Sequence, residues 1–169
     1  MSVNSVMGWL HFLGVVTWVG GMMFQMVSFQ PFLKIQDLPT MLPLLFPVIR
    51  RFLMMTWSSI TLLLISGSDM LIRVLVDQRV SWTSRLGTFL LIKFALVGLM
   101  LILFGIIFFR YFFEFRIHYR ALLKKPGPQK AAEHYRAIEH ILPAMKNLTV
   151  ANLIVGLVVI FVVEMALNP

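Results

Sequence analysis

Four ionisable residues, His11, Asp69, Lys93 and Glu164, stand inside stretches that otherwise carry almost no charge. A charged side chain in hydrocarbon costs at least a few kcal/mol, so each is expected to have partners in a protein interior or a water-filled cavity and to mark a functional site. The chemistry open to such a set is proton transfer, pairing of carboxylate with ammonium, and ligation of haem iron or a metal through imidazole. The plainer alternative is that Asp69 and Glu164, near the ends of their stretches, snorkel or pair structurally. His11 is the most informative of the four, because His11, Gly14, Trp18, Gly21 and Gln25 recur at i, i+3, i+7, i+10 and i+14 and share one helix face. Glycines on that face admit either a flat cofactor or a neighbouring helix, and the imidazole is either an axial ligand or a hydrogen-bonding group between helices. Met7, Met70 and Met165 flank His11, Asp69 and Glu164, and thioethers with imidazole suit Cu(I), although most of the 12 methionines read as apolar filler.

The elements that position these residues are membrane spans. With 59% hydrophobic and only 13% charged residues, the chain is more apolar than a soluble domain. Met1 to Leu33 contains no Asp, Glu, Lys or Arg, which is too long for a core helix and lacks the basic start of a cleaved signal peptide. It reads as a retained span over about 6–29, closed by Pro31. A proline-rich connector with Pro39, Pro43 and Pro47 follows, then spans over about 52–73, 86–110 and 147–167. The third is expected to continue to about residue 125 as a helix leaving the bilayer, until Pro126, Gly127 and Pro128 break it. An amphipathic stretch, KAAEHYRAIEHIL, then leads through Pro143 into the fourth span. The fold class is therefore an all-α integral membrane bundle of four transmembrane helices, one domain over residues 1–169.

The net charge of +8 points to topology rather than to nucleic acid, because the bases sit in loops beside apolar runs. The first and third loops hold Lys34, Arg50, Arg51, Arg110, Arg116, Arg120, Lys124, Lys125, Lys130, Arg136 and Lys146, against Arg73, Arg79 and Arg85 in the second. Cytoplasmic loops retain bases, so both termini are expected on the outer, periplasmic side of a bacterial-type inner membrane. That places His11, Asp69, Lys93 and Glu164 in the outer half, where Arg73 and Arg85 could meet anionic groups such as haem propionates. His118, His134 and His140 fall on the opposite side, where solvated loop histidines are expected. Cysteine is absent, which excludes disulfides and thiolate ligation.

The segment LHFLGVVTWVGGMMF with Pro31 after it, then RRFLMMTWSSITLLLISG and LGTFLLIKFALVGLM, resembles the small CopD-like membrane family. That family is related to copper-resistance protein D domains and more distantly to HemJ-type protoporphyrinogen oxidases. They share a first-helix His and a third-helix Lys, which correspond here to His11 and Lys93. In the HemJ type the His is taken to bind haem b and the Lys to be needed for activity. The resemblance thus implies haem b in the outer half with His11 as axial ligand, and Lys93 as second ligand or as a propionate or proton partner. An electron-transfer role toward quinone or a periplasmic carrier, or a place in a larger respiratory complex, follows from it. Where HemJ proteins carry an Arg-containing segment ending in Tyr-His, this chain has QMVSFQP, so Trp18, Gly20, Gly21, Pro31 and the Arg51-Phe52 pair match the CopD pattern better. The alternatives are copper uptake or handling without haem, a HemJ-like oxidase, and a structural membrane subunit.

Overall fold

The computed structural model describes residues 3–29, 37–77 and 84–167, all helical apart from Asp37, Ser84 and the hairpin Lys124–Gly127. Helix α1 is Val3–Phe24, widening into a π turn at Gln25–Phe29, and α2 is Leu38–Asp77. Helix α3, Arg85–Gly105, runs through a π segment, Ile106–Phe112, into α4, Phe113–Leu123; α5 is Pro128–Leu167. Four stretches, Ser5–Val27, Leu38–Val76, Gly87–Leu123 and Pro128–Met165, are long and apolar enough to cross a membrane. Helix α1 packs chiefly on α2 and α3 on α5, and the two pairs meet mainly where α1 touches α5. An even number of spans brings Val3 and Leu167 to one end of the bundle, the terminal end, and the α4–α5 hairpin to the other, the basic end.

The stretch expected to be a proline-rich connector is helix instead, from Leu38 onward. Leu42, Leu45, Ile49 and Leu53 repeat at i, i+3, i+7 and i+11 and are all buried, so the apolar stripe holds the helix across the prolines. Pro43 and Pro47 lie four apart on the exposed face, where the carbonyls they leave unbonded face the surroundings rather than the core. Pro31, expected to close the first span, lies outside the described residues. The amphipathic stretch before the fourth span is likewise continuous with it, since α5 passes through the exposed Pro143 without a break.

At 40 residues each, α2 and α5 are about 60 Å long, roughly twice the hydrocarbon thickness, so both overhang the membrane. The overhang is at the basic end, because the charge-poor part of each helix begins after Arg50, Arg51 and Lys146. There α2, α4 and α5 enclose Leu45, Phe115 and Ile138, each 0% exposed. In this water-facing region the hydrophobic effect holds helices together, whereas within lipid they depend on close packing. The π segment Ile106–Phe112 joins the two regions, and the buried Phe104, Ile107, Phe112 and Phe115 fall on one side of the continuous helix. Phe46 of α2 then stacks on Tyr119 at 4.1 Å and lies 5.9 Å from Phe112.

Helix α4 stops at Lys124, and Lys125 takes the left-handed conformation, φ 51°, at a position glycine normally fills. A residue with a Cβ is strained there by about 1–2 kcal/mol, and glycine's extra freedom in the unfolded chain returns part of that. Lys125→Gly is therefore expected to stabilise the protein by up to about 1 kcal/mol, a rise of about 2–4 °C in thermal midpoint in detergent.

Candidate functional site

His11 and Ser66 meet across the α1–α2 seam, Nδ1 to Oγ at 3.1 Å. The donor can be assigned from the serine. Ser66 has one hydroxyl proton, and its Oγ lies 2.7 Å from the Leu62 carbonyl one turn back, which can only accept. The Ser66 oxygen therefore accepts from His11 Nδ1–H, which fixes the neutral ring in the tautomer whose lone pair is on Nε2. Gly67 completes the seat, since a Cβ there would come within 3.4 Å of His11 Cε1, so the ring lies close to the backbone of α2. The sequence reading named His11 but not Ser66, which is 0% exposed. Its signal was present in the run SSITLLLISGSD, whose buried Ser59 and Ser66 are seven apart on one face.

The imidazole sits where the tightly packed core ends. Buried apolar side chains stop at Trp18 on α1, Ile60 on α2, Met100 on α3 and Met145 on α5. Closer to the terminal end, only Gly14, Ser66, Gly87 and the buried residues Asn152, Thr149 and Gly156 of α5 are covered among the described residues. His11 and Lys93 are both half-buried there.

The other expected members are placed differently. Asp69 pairs with Arg73 one turn on in its own helix, Nη2 standing 2.9 Å from Oδ1 and 2.8 Å from Oδ2. Such an i, i+4 ion pair offsets the two charges within one helix, with the hydrogen bond made to Oδ1 and none to Oδ2. Arg85 is exposed, its guanidinium 5.8 Å from the ring centre of Phe89. Arg79 lies outside the described residues, and Glu164 is exposed near the end of α5. Met7 is half-buried, whereas Met70 and Met165 turn outward at 42% and 48% exposure, as lipid-facing side chains do.

Gly14 and Gly21 serve helix contact. A Cβ on Gly14 would stand 2.7 Å from Leu63 Cγ, and one on Gly21 3.1 Å from Phe52 Cε2. Of the two roles open to these glycines, the approach of α2 fills both notches, and Trp18 between them is buried against Phe104 of α3. A flat ring near His11 therefore has to lie away from this seam. The sequence reading missed the matching face of α5, where Met145, Thr149, Asn152 and Gly156 recur at i, i+4, i+7 and i+11 and are all buried. A Cβ on Gly156 would come within 3.1 Å of Met100 Cε and 3.3 Å of Val19 Cγ2, so this glycine lets three helices meet.

At the basic end, two of the histidines expected to be solvated are instead half-buried and paired. His118 of α4 and His134 of α5 bring their Nδ1 atoms to 3.0 Å, with ring centres 5.2 Å apart. That centre separation nearly equals the nitrogen gap plus the two ring radii, so the nitrogens point head-on, as in an N–H···N hydrogen bond. His140 is exposed. A His118→Ala, His134→Ala double-mutant cycle on thermal unfolding is expected to give a coupling of about 1 kcal/mol, each single change costing most of what the pair costs.

Compared with known protein families, curated proteins and solved structures, the chain matches none. Its class is that of a helical multi-pass membrane protein, by the length and apolar composition of four helices among the described residues.

Proposed function

We propose that the protein binds haem b in the terminal half of the bundle, with His11 Nε2 as axial ligand, and carries electrons within a membrane, alone or as a subunit of a larger respiratory assembly. The observation that carries this reading is the His11–Ser66 hydrogen bond, which holds the imidazole in the tautomer a metal ligand needs and leaves Nε2 as its only lone-pair nitrogen. Lys93, half-buried on α3, is the second residue of the reading, as a second ligand or as a partner for a propionate or a proton. The lysine's resemblance to the third-helix Lys of CopD-like and HemJ-type proteins points the same way. When bound, the haem supplies one-electron redox chemistry. The chain's own residues orient the ligand nitrogen through Ser66.

Orientation follows from charge. The bases at the overhanging end belong on the cytoplasmic side, which puts the termini, His11 and Lys93 toward the periplasm of a bacterial-type inner membrane, where quinone or a periplasmic carrier is within reach. The test is a reduced-minus-oxidised absorption spectrum of protein purified after expression with ample haem. A b-type spectrum is the expected result. A folded, well-supplied preparation without haem bands would overturn the reading and leave copper handling or a structural role.

A further inference from the structure

A second polar site lies at mid-depth in the bundle, apart from His11. Trp18 Nε1, Gln25 Oε1 and Asn152 Oδ1 are buried without a hydrogen-bond partner, and all three residues line one cavity of ≈ 10 Å³. Trp18 and Asn152 are 3% and 1% exposed, so lipid and bulk water do not satisfy them. Leaving a buried polar atom unmade costs about 1–3 kcal/mol, and three around one small space call for an occupant.

The chemistry of the walls selects it. Thr56 and Thr149 also line the cavity, and their hydroxyl protons are committed to the carbonyls of Phe52 at 3.0 Å and Met145 at 2.8 Å, so toward the cavity they offer only lone pairs. The unpartnered set is thus one donor, the Trp18 indole N–H, and two acceptors, the amide oxygens of Gln25 and Asn152. A water molecule accepts one such bond and donates two. A sodium ion would suit the oxygens but not the indole N–H, and an organic ligand needs some hundreds of Å³. The volume holds about one water.

We propose that a single resident water molecule fills this cavity, accepting from Trp18 and donating to Gln25 and Asn152, and so ties α1 to α5 at the one place where the two helix pairs chiefly meet. The bridge lies at the basic-end edge of the charge-poor part of the bundle, its lining reaching Ile49 beside Arg50 and Met145 beside Lys146. It is independent of any cofactor at His11.

The direct test is NMR of detergent-solubilised protein labelled with ¹⁵N in its four tryptophans, the Trp18 indole resonance being assigned with Trp18→Phe. A cross-relaxation peak between that indole proton and water is expected, unchanged when sodium replaces potassium at constant ionic strength. Its absence would overturn the proposal, and a sodium-dependent shift would overturn it in favour of a cation. Asn152→Leu gives an independent sign. With a bridging water, the change expels it and strands Trp18 and Gln25, lowering the thermal midpoint by about 2–4 °C, with Trp18→Phe adding less than its single effect. In a dry cavity the same leucine removes an unpartnered oxygen and fills space, so a rise in midpoint would overturn the proposal.

Discussion

His11→Ala is expected to abolish the b-type haem spectrum while leaving a folded, membrane-inserted protein. The loss is large because no other described histidine is at the terminal end; His118, His134 and His140 lie at the basic end of the bundle. The fold should survive, because His11 is only half-buried and Ser66 keeps its bond to Leu62 when the imidazole is gone. The deleted His11–Ser66 contact is worth about 1 kcal/mol. Ser66→Ala makes the sharper point. It leaves the ligand nitrogen in place and removes only what orients the ring, so haem affinity should fall about 10–100-fold rather than vanish. Haem titration of the purified apoprotein measures both. Lys93→Met then separates the roles of the lysine, since a change of haem spin state marks a lost axial ligand and a weakened but spectrally unchanged complex marks a lost propionate or proton partner. His140→Ala is the control, and an effect on the spectrum equal to that of His11→Ala would defeat the assignment.

Gly14→Leu is expected to disrupt the α1–α2 pair, and even Gly14→Ala to destabilise it by about 1–3 kcal/mol, the usual range for overpacking. The added Cβ would lie 2.7 Å from Leu63 Cγ and 3.4 Å from the Ser59 carbonyl oxygen. Leu63 Cγ is a branch point, not the free end of a flexible chain, and a backbone carbonyl stands behind it, so α1 has to move away from α2. That movement would also draw His11, one turn away, from Ser66, so haem binding should fall with stability. Leu63→Ala should restore much of both by reopening the space. Gly20→Ala serves as the comparison, because no atom lies within 4 Å of a Cβ there and the thermal midpoint is expected to hold or rise slightly. Equal melting of the Gly14 and Gly20 variants would show that α2 does not approach α1 this closely.

The same two glycines show how far residue types could be read without coordinates. The spacing of His11, Gly14, Trp18 and Gly21 identified one face of α1, but a missing Cβ looks alike whether a helix or a cofactor fills the notch. Depth alone groups His11, Asp69, Lys93 and Glu164 into one cluster. Depth placed Asp69 near Lys93, yet an i, i+4 partner in the same helix, Arg73, was close enough to take its charge first.

The amino-acid sequence by itself determined the four spans, because a charge-free apolar run has few stable places other than a bilayer, and it located His11 and Lys93 as intramembrane groups. It also marked which end is basic. Tertiary structure decided the rest. Helix continues through Pro43, Pro47 and Pro143 because buried stripes on the opposite face hold it, which local proline rules do not weigh. A histidine's tautomer depends on a serine 55 residues away, and the pairing of His118 with His134 depends on how α4 folds back on α5. Those contacts join residues remote in the chain, so they appear only when the helices take their register, and steric fit at glycines helps to set that register.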